Sequence, residues 1–259
     1  TTWNNWRIRR MASTILDYGR APWPVRPDLL AAHQRAWQRL AAPGTWLSGQ
    51  QRVAVAAEVR AASACAHCQR IADALSPFGV TNGKHGVVTE LPDIWIDVIH
   101  RVRNDAARLT DAWYEALIED GLRAQEYVEI VGVLATVVAI DSFCDALGLA
   151  RHALPRPMPG EPPRIFPMNA SAGLGRVPTV APEDVTEAEA DLYEGLSGAN
   201  IHRALSFVPA EVSGFFDIDA VMYLPDRQLR DFALEPRAIS HAQIEFVAAR
   251  VSALNGCFY

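Results

Sequence analysis

Cys65 and Cys68, three positions apart with His67 between them, are the residues whose types and spacing could do chemistry together. The thiolate is the reactive form of cysteine, and two thiols this close can attack an electrophile in turn and close a disulfide. An imidazole beside them, or the positive end of a helix, favours the ionised form. Cys65, His67 and Cys68 are also soft enough donors for zinc, although a closed site asks for a fourth ligand, which His85 or His100 would have to supply. A third reading is an inert pair held reduced. The redox reading is preferred, with no metal and no organic cofactor expected.

Positioning such a pair requires a defined helix, and the preceding segment predicts one. Ser48 and Gln51 form a Ser-x-x-Gln capping box, in which hydroxyl and amide satisfy backbone donors of a starting helix. Beyond the box the chain is rich in Ala and Val, so it reads as a helix buried on most sides that delivers Cys65 to the start of the next. The segment is written twice. A shift of 192 residues lays Ser240 on Ser48, Gln243 on Gln51, Val247 on Val55, Val251 on Val59 and Cys257 on Cys65. A repeat this regular marks one supersecondary unit used twice.

A chain of 259 residues could hold one large domain or two smaller ones, and the repeat favours two. The 24 basic and 30 acidic residues leave a formal charge of -6, which is not the basic footprint of a nucleic-acid binder. The most apolar run, residues 130–140, falls short of the roughly 20 residues a membrane helix needs and reads as a core helix. Four cysteines in so long a chain do not make a disulfide scaffold, and Cys144 reads as a packing residue. No apolar stretch comes after the arginines of residues 1–13, so a cytoplasmic location is expected.

No alternation of period two appears, and the expected fold class is all-α. Helices are predicted over residues 28–40, from Ser48, from the cysteine pair to about Leu75, from Leu91-Pro92, from Thr110 to about Asp120, and from Arg123 to Ala146. Further helices are predicted from Pro182 through Leu192 to Phe207, from Pro209 to Leu224, and from Ser240. Asp141 and Asp145 read as structural partners, and His100 and His152 as structural histidines. Eight of the 17 prolines lie between Pro155 and Pro182, so that segment is a linker, free or draped over the surface. The expected organisation is an N-terminal arm (1–19), a first helical domain (20–152), a Pro-rich linker (153–183) and an incomplete second helical domain (184–259).

These motifs resemble those of the alkylhydroperoxidase D-like superfamily, which includes carboxymuconolactone decarboxylases and tandem peroxidase-related proteins. The likeness covers residues 28–151 as one nearly complete unit and 201–259 as the first half of another. It implies a helical bundle of the alkylhydroperoxidase D-like type, a tandem repeat with an incomplete second unit. In redox members the motif is Glu, eleven residues, Cys-x-His-Cys, and a further His four positions on. The acid and that His relay protons while one thiol attacks and the other resolves. Cys65, His67 and Cys68 match. Val53 stands at the acid's position and Ala72 at the distal histidine's, with Glu58 and Asp73 out of register. The second copy has Glu245 twelve residues before Cys257, as the motif asks. Its second thiol would be residue 260, expected to be selenocysteine, with cysteine as the alternative, in a longer natural protein.

The resemblance thus implies a thiol-dependent peroxidase or disulfide oxidoreductase with Cys65, Cys68, His67, Glu245 and Cys257 as catalytic residues, Cys68 attacking and Cys65 resolving. The implied substrate is a hydroperoxide or disulfide, and the implied partner a dithiol electron donor of lipoyl type. No nucleic acid or membrane partner is expected. One sulfur of the pair should reach solvent, and the first half alone should be weakly active for want of its relay. The alternatives are a catalytically silent helical protein serving oligomerisation or interaction, and a carboxymuconolactone decarboxylase-like enzyme. A homo-oligomer is expected, because the second unit lacks the helices that would cover its first ones.

Overall fold

The computed structural model describes residues 16–80 and 82–257, so most of the expected N-terminal arm lies outside the described residues. Among these there are ten α-helices and no strand. The first, α1 (Pro27–Ala41), opens with proline in its first turn and buries Leu29, Ala32, Ala36, Trp37 and Leu40, a stripe of helical spacing. In α2 (Gly49–Ala62) the predicted capping box is in place: Gln51 N–H donates to Ser48 Oγ at 3.2 Å, and Ser48 N–H donates to Gln51 Oε1 at 2.8 Å. The cysteines open α3 (Ala66–Asp73), and then come α4 (Asp93–Asp105) and α5 (Asp111–Glu119), where Thr110 Oγ1 accepts from Trp113 N–H.

The longest helix, α6 (Ala124–Ala146), is the axle of the fold. By length and composition it could cross a membrane. Here it lies among α1, α2, α4 and, from the later part of the chain, α8 (Pro209–Met222). Its Ile130, Val133, Val137 and Ile140 share a core with Val55 and Val59 of α2, Trp95, Val98 and Ile99 of α4, and Ile218 of α8. Asp141 takes a bidentate bond from Arg60, and Asp145 one from Arg151, the structural pairing expected of them. Cys144 is fully buried in a small cluster with Tyr18 and Leu29.

A buried ionic staple crosses three helices. Arg52 Nη1 lies 2.5 Å from Glu129 Oε1 and 2.6 Å from Glu211 Oε1, joining α2, α6 and α8. Two carboxylates against one guanidinium leave an excess negative charge away from water. Burial, with the neighbouring Glu211 charge adding to it, pushes the Glu129 carboxyl above its ordinary range, against the pull of Arg52.

The helix expected from Pro182 through Phe207 is a correction. Only one short helix forms there, α7 (Asn200–Arg203), after 3-10 turns at Pro182–Asp184 and Glu187–Glu189. Gly195 at φ 74° adopts the left-handed conformation that ends a helix. The Pro-rich segment is draped. Met158 N–H donates to Ala41 O, Arg164 N–H to Thr45 O and Trp46 Nε1–H to Ile165 O, and Thr179 and Val180 are buried. After α8 come the single turn α9 (Asp226–Leu229) and α10 (His241–Leu254), the second capping-box helix, whose Ser240 and Gln243 repeat the bonds of Ser48 and Gln51. Unlike α2, α10 buries only His241 and Ile244 and exposes Phe246, Val247, Val251 and Leu254.

Candidate functional site

Cys65 is the N-cap of α3 and Cys68 lies one turn into it, so the helix start presents both sulfurs on one side. Two histidines converge on them from elsewhere in the chain. His85 Nδ1 lies 3.4 Å from Cys68 Sγ and 3.8 Å from Cys65 Sγ, while His100 Nδ1 lies 3.2 Å from Cys68 Sγ. His85 comes from the loop between α3 and α4, and His100 from the middle of α4. The two rings sit 4.3 Å apart between centroids.

Each imidazole is held from behind by a carboxylate. His85 Nε2 is 3.3 Å from Asp97 Oδ1, and Asp97 Oδ2 accepts from Trp113 Nε1–H at 2.8 Å. His100 Nε2 is 3.2 Å from Glu58 Oε1, and Glu58 Oε2 accepts from Val88 N–H and from the Thr89 hydroxyl. Glu58 therefore does two things: it orients His100 and ties the loop carrying His85 down onto α2. Glu58 and His100 have no solvent exposure.

The loop is fitted closely against α3. Gly83, at φ 115°, holds a backbone conformation that strains any residue with a side chain, and a Cβ there would also push Arg70 Nη2, 2.3 Å away, aside. Further along the same loop, Gly86 N–H reaches Cys65 Sγ at 3.4 Å.

This packing sets the electrostatics. For Cys65, burial raises the pKa, but the backbone N–H groups of Cys68 and Gly86 and the His85 imidazole outweigh it and bring the thiol to about 6. For Cys68, burial is likewise opposed by His100 and His85, and the balance lies below the ordinary thiol value. His85 is the mirror case: burial lowers it, yet Asp97 and the two sulfurs lift it to about 10. His100 is raised above its ordinary value by Cys68 and Glu58 against the same burial. The cluster thus stores protons on the imidazoles and charge on the sulfurs.

Of the residues the sequence proposed, Cys65 and Cys68 are at the centre of this cluster. His67 is beside it: its Nδ1 faces Arg70 Nη2 at 3.0 Å and its ring packs edge-on to His85. Glu245, on α10, accepts from the Tyr223 hydroxyl at 2.6 Å and lies 3.6 Å from His241. Cys257 is exposed beyond the end of α10, next to Gly256, which abuts Ala107 just past α4. Neither belongs to the group of donor atoms formed by Cys65, Cys68, His85 and His100, which lie within 4.8 Å of one another.

Two expectations change. The relay positions Val53 and Ala72 are indeed without acid and histidine, but Glu58 and His100 bring a carboxylate and an imidazole to Cys68 by another route. His100, read from the sequence as a structural histidine without a partner, has two: Cys68 at Nδ1 and Glu58 at Nε2. Second, neither sulfur reaches solvent freely, since Cys65 is 5% and Cys68 4% exposed under the loop that Glu58 anchors. The sequence carried a faint signal for this arrangement. Glu58 is a charge set among the Ala and Val of a buried helix, and Asp97 and His100 are three apart in an otherwise apolar run, so they share a face of α4.

No family model, no curated protein and no solved structure matches this chain.

Proposed function

We propose that the chain is a thiol-dependent peroxidase, using the Cys65–Cys68 pair to reduce an organic hydroperoxide and a small or protein-bound dithiol to restore it. The observation that carries this reading is the thiol–imidazole–carboxylate line of Cys68, His100 and Glu58, with contacts of 3.2 Å at both joints. Such a line activates a nucleophile and keeps its partner oriented. An alkylhydroperoxidase D-like bundle with a repeated helical segment fits the helical fold and the two matching capping boxes.

In this scheme Cys68 thiolate attacks the terminal oxygen of the hydroperoxide. The O–O bond breaks, the departing alkoxide takes a proton from an adjacent imidazolium, and Cys68 becomes a sulfenic acid. Cys65 thiolate then attacks the Cys68 sulfur, the S–O bond breaks, and hydroxide leaves as water with the proton of the second imidazolium. One hydroperoxide is reduced to alcohol and water as two thiolates become one disulfide. An external dithiol returns two electrons and two protons. Val87 and Val88, exposed next to Gly86 on the loop over the pair, offer an apolar surface that suits an organic substrate. Such a cycle suits a reducing compartment such as the cytoplasm.

The test is consumption of cumene hydroperoxide with dithiothreitol as donor. C68S should abolish turnover, and C65S should stop at a sulfenic acid trapped by dimedone. Equal turnover by wild type and C68S would overturn the reading.

A further inference from the structure

Four donors of the kind zinc prefers converge here from three separate elements: two cysteines of α3, His85 from a loop, and His100 from α4. We propose that the reduced protein binds one zinc ion through Cys65 Sγ, Cys68 Sγ, His85 Nδ1 and His100 Nδ1, and that this ion masks the dithiol. Binding itself needs only the four donors; the masking rests on the peroxidase reading.

The geometry is the first argument. Zinc with two sulfurs at about 2.3 Å and two nitrogens at about 2.0 Å in a tetrahedron sets each sulfur roughly 3.5 Å from each nitrogen. Three of the four Sγ to Nδ1 separations, 3.2, 3.4 and 3.8 Å, straddle that value, and all four donor atoms lie within 4.8 Å of one another, so side-chain shifts suffice to take in an ion.

The second argument is the layer behind the donors. Both imidazoles turn Nδ1 towards the sulfurs and Nε2 towards a carboxylate, Asp97 for His85 and Glu58 for His100. This is how metal-bound histidines are held: the outer N–H donates to an acceptor, which leaves the lone pair of the inner nitrogen directed at the ion. The Gly86 amide at Cys65 Sγ satisfies a further lone pair of one sulfur. The third argument is closure. Cys65, Cys68 and His100 are buried and His85 nearly so, which resembles a closed four-ligand site and not an open catalytic one.

A zinc-bound dithiolate cannot approach its partner sulfur to close a disulfide without releasing the ion. Oxidation by hydroperoxide would convert two thiolates, one hydroperoxide and two protons into disulfide, alcohol and water, and set zinc free. The metal is thus a cap on the resting pair that the substrate itself removes.

The test uses the full chain, reduced and stripped with a chelator, and titrated with cobalt and then zinc. One cobalt per chain should bind, with the intense visible bands of a tetrahedral site and thiolate-to-metal charge transfer in the near ultraviolet. Zinc should displace it mole for mole. C65S, C68S, H85Q and H100Q should each weaken zinc binding by at least about 100-fold, and E58Q and D97N, which keep every ligand, by about 10- to 100-fold. C144A should bind as wild type does. A pale octahedral cobalt spectrum, or unchanged affinity in C65S and C68S, would overturn the site. The peroxidase reading fails separately: metal-free protein that forms no Cys65–Cys68 disulfide with cumene hydroperoxide refutes that reading even if zinc binds. If both hold, zinc-loaded protein should oxidise at least about ten times more slowly than the stripped form, with zinc appearing in solution as disulfide forms. Equal rates would refute the masking.

Discussion

Glu58 and His100, 42 residues apart and both sealed from solvent, meet at 3.2 Å between α2 and α4. Two helices that pack through apolar side chains thereby also fix one imidazole against Cys68. Replacing Glu58 by Gln keeps an acceptor for His100 but removes the charge that holds a proton on the ring. E58Q should lower kcat/KM for cumene hydroperoxide by about 100-fold, within the range a positioned acid or base contributes. Because Val88 N–H and Thr89 also donate to this carboxylate, E58Q should raise amide exchange in residues 82–90 as well. Unchanged turnover would remove Glu58 from the relay.

The Arg52 staple makes a stability prediction of unusual sign. R52M leaves Glu129 and Glu211 buried without their cation and should cost about 3–5 kcal/mol in urea unfolding. The triple variant R52M/E129L/E211L removes all three charges and should recover most of that loss, because apolar replacements escape the desolvation penalty. A triple variant no more stable than R52M would contradict the account.

Asp219 on α8 predicts a pH dependence. Burial raises its pKa to about 6, above the ordinary carboxylate value of about 4. The folded state therefore holds a proton that the unfolded chain has released between those values, and stability falls as pH rises across that window. Above about pH 6 the loss is complete and constant. D219N should be more stable than wild type at pH 7.5, by up to roughly 3 kcal/mol, and show little gain at pH 4. Equal gains at both pH values would contradict the assignment.

The helices α2 and α10 share a capping box and a length of 14 residues but not their surroundings. Capping contributes about 1 kcal/mol, whereas the burial that α2 enjoys and α10 lacks is worth several times more. Amides in the central turns of α10 should exchange at least about ten times faster than those of α2. Equal protection would mean that α10 is covered in solution.

The elements were more legible than the site. Ser48-Gln51 and Thr110 announced helix starts because a cap is local, and the long apolar run around Ile130 announced a core helix because burial is written in composition. Cys65 and Cys68 were legible for the same reason, being one turn apart. His85, Asp97, His100 and Glu58 were not, because their relation exists only once α2 and α4 are packed and the loop is folded over them. Position along the chain excluded Glu58 from a motif counted in residues; packing between helices brought its carboxylate to the imidazole beside Cys68. Residues 182–199 show the opposite limit, where turns and two left-handed glycines, Gly195 and Gly198, stand in what composition read as a continuous helix.

The contact of Glu211 with Arg52 also bears on modularity. A fragment ending near residue 152 would keep α1 to α6 and every donor of the dithiol cluster, yet it would lose α8. Arg52 and Glu129 would then face a vacant groove, Arg35 and Arg39 would lose Asp217, and the core would lose Ile218. The interior of residues 20–152 is thus completed in the structure by α8, a helix from beyond the Pro-rich segment.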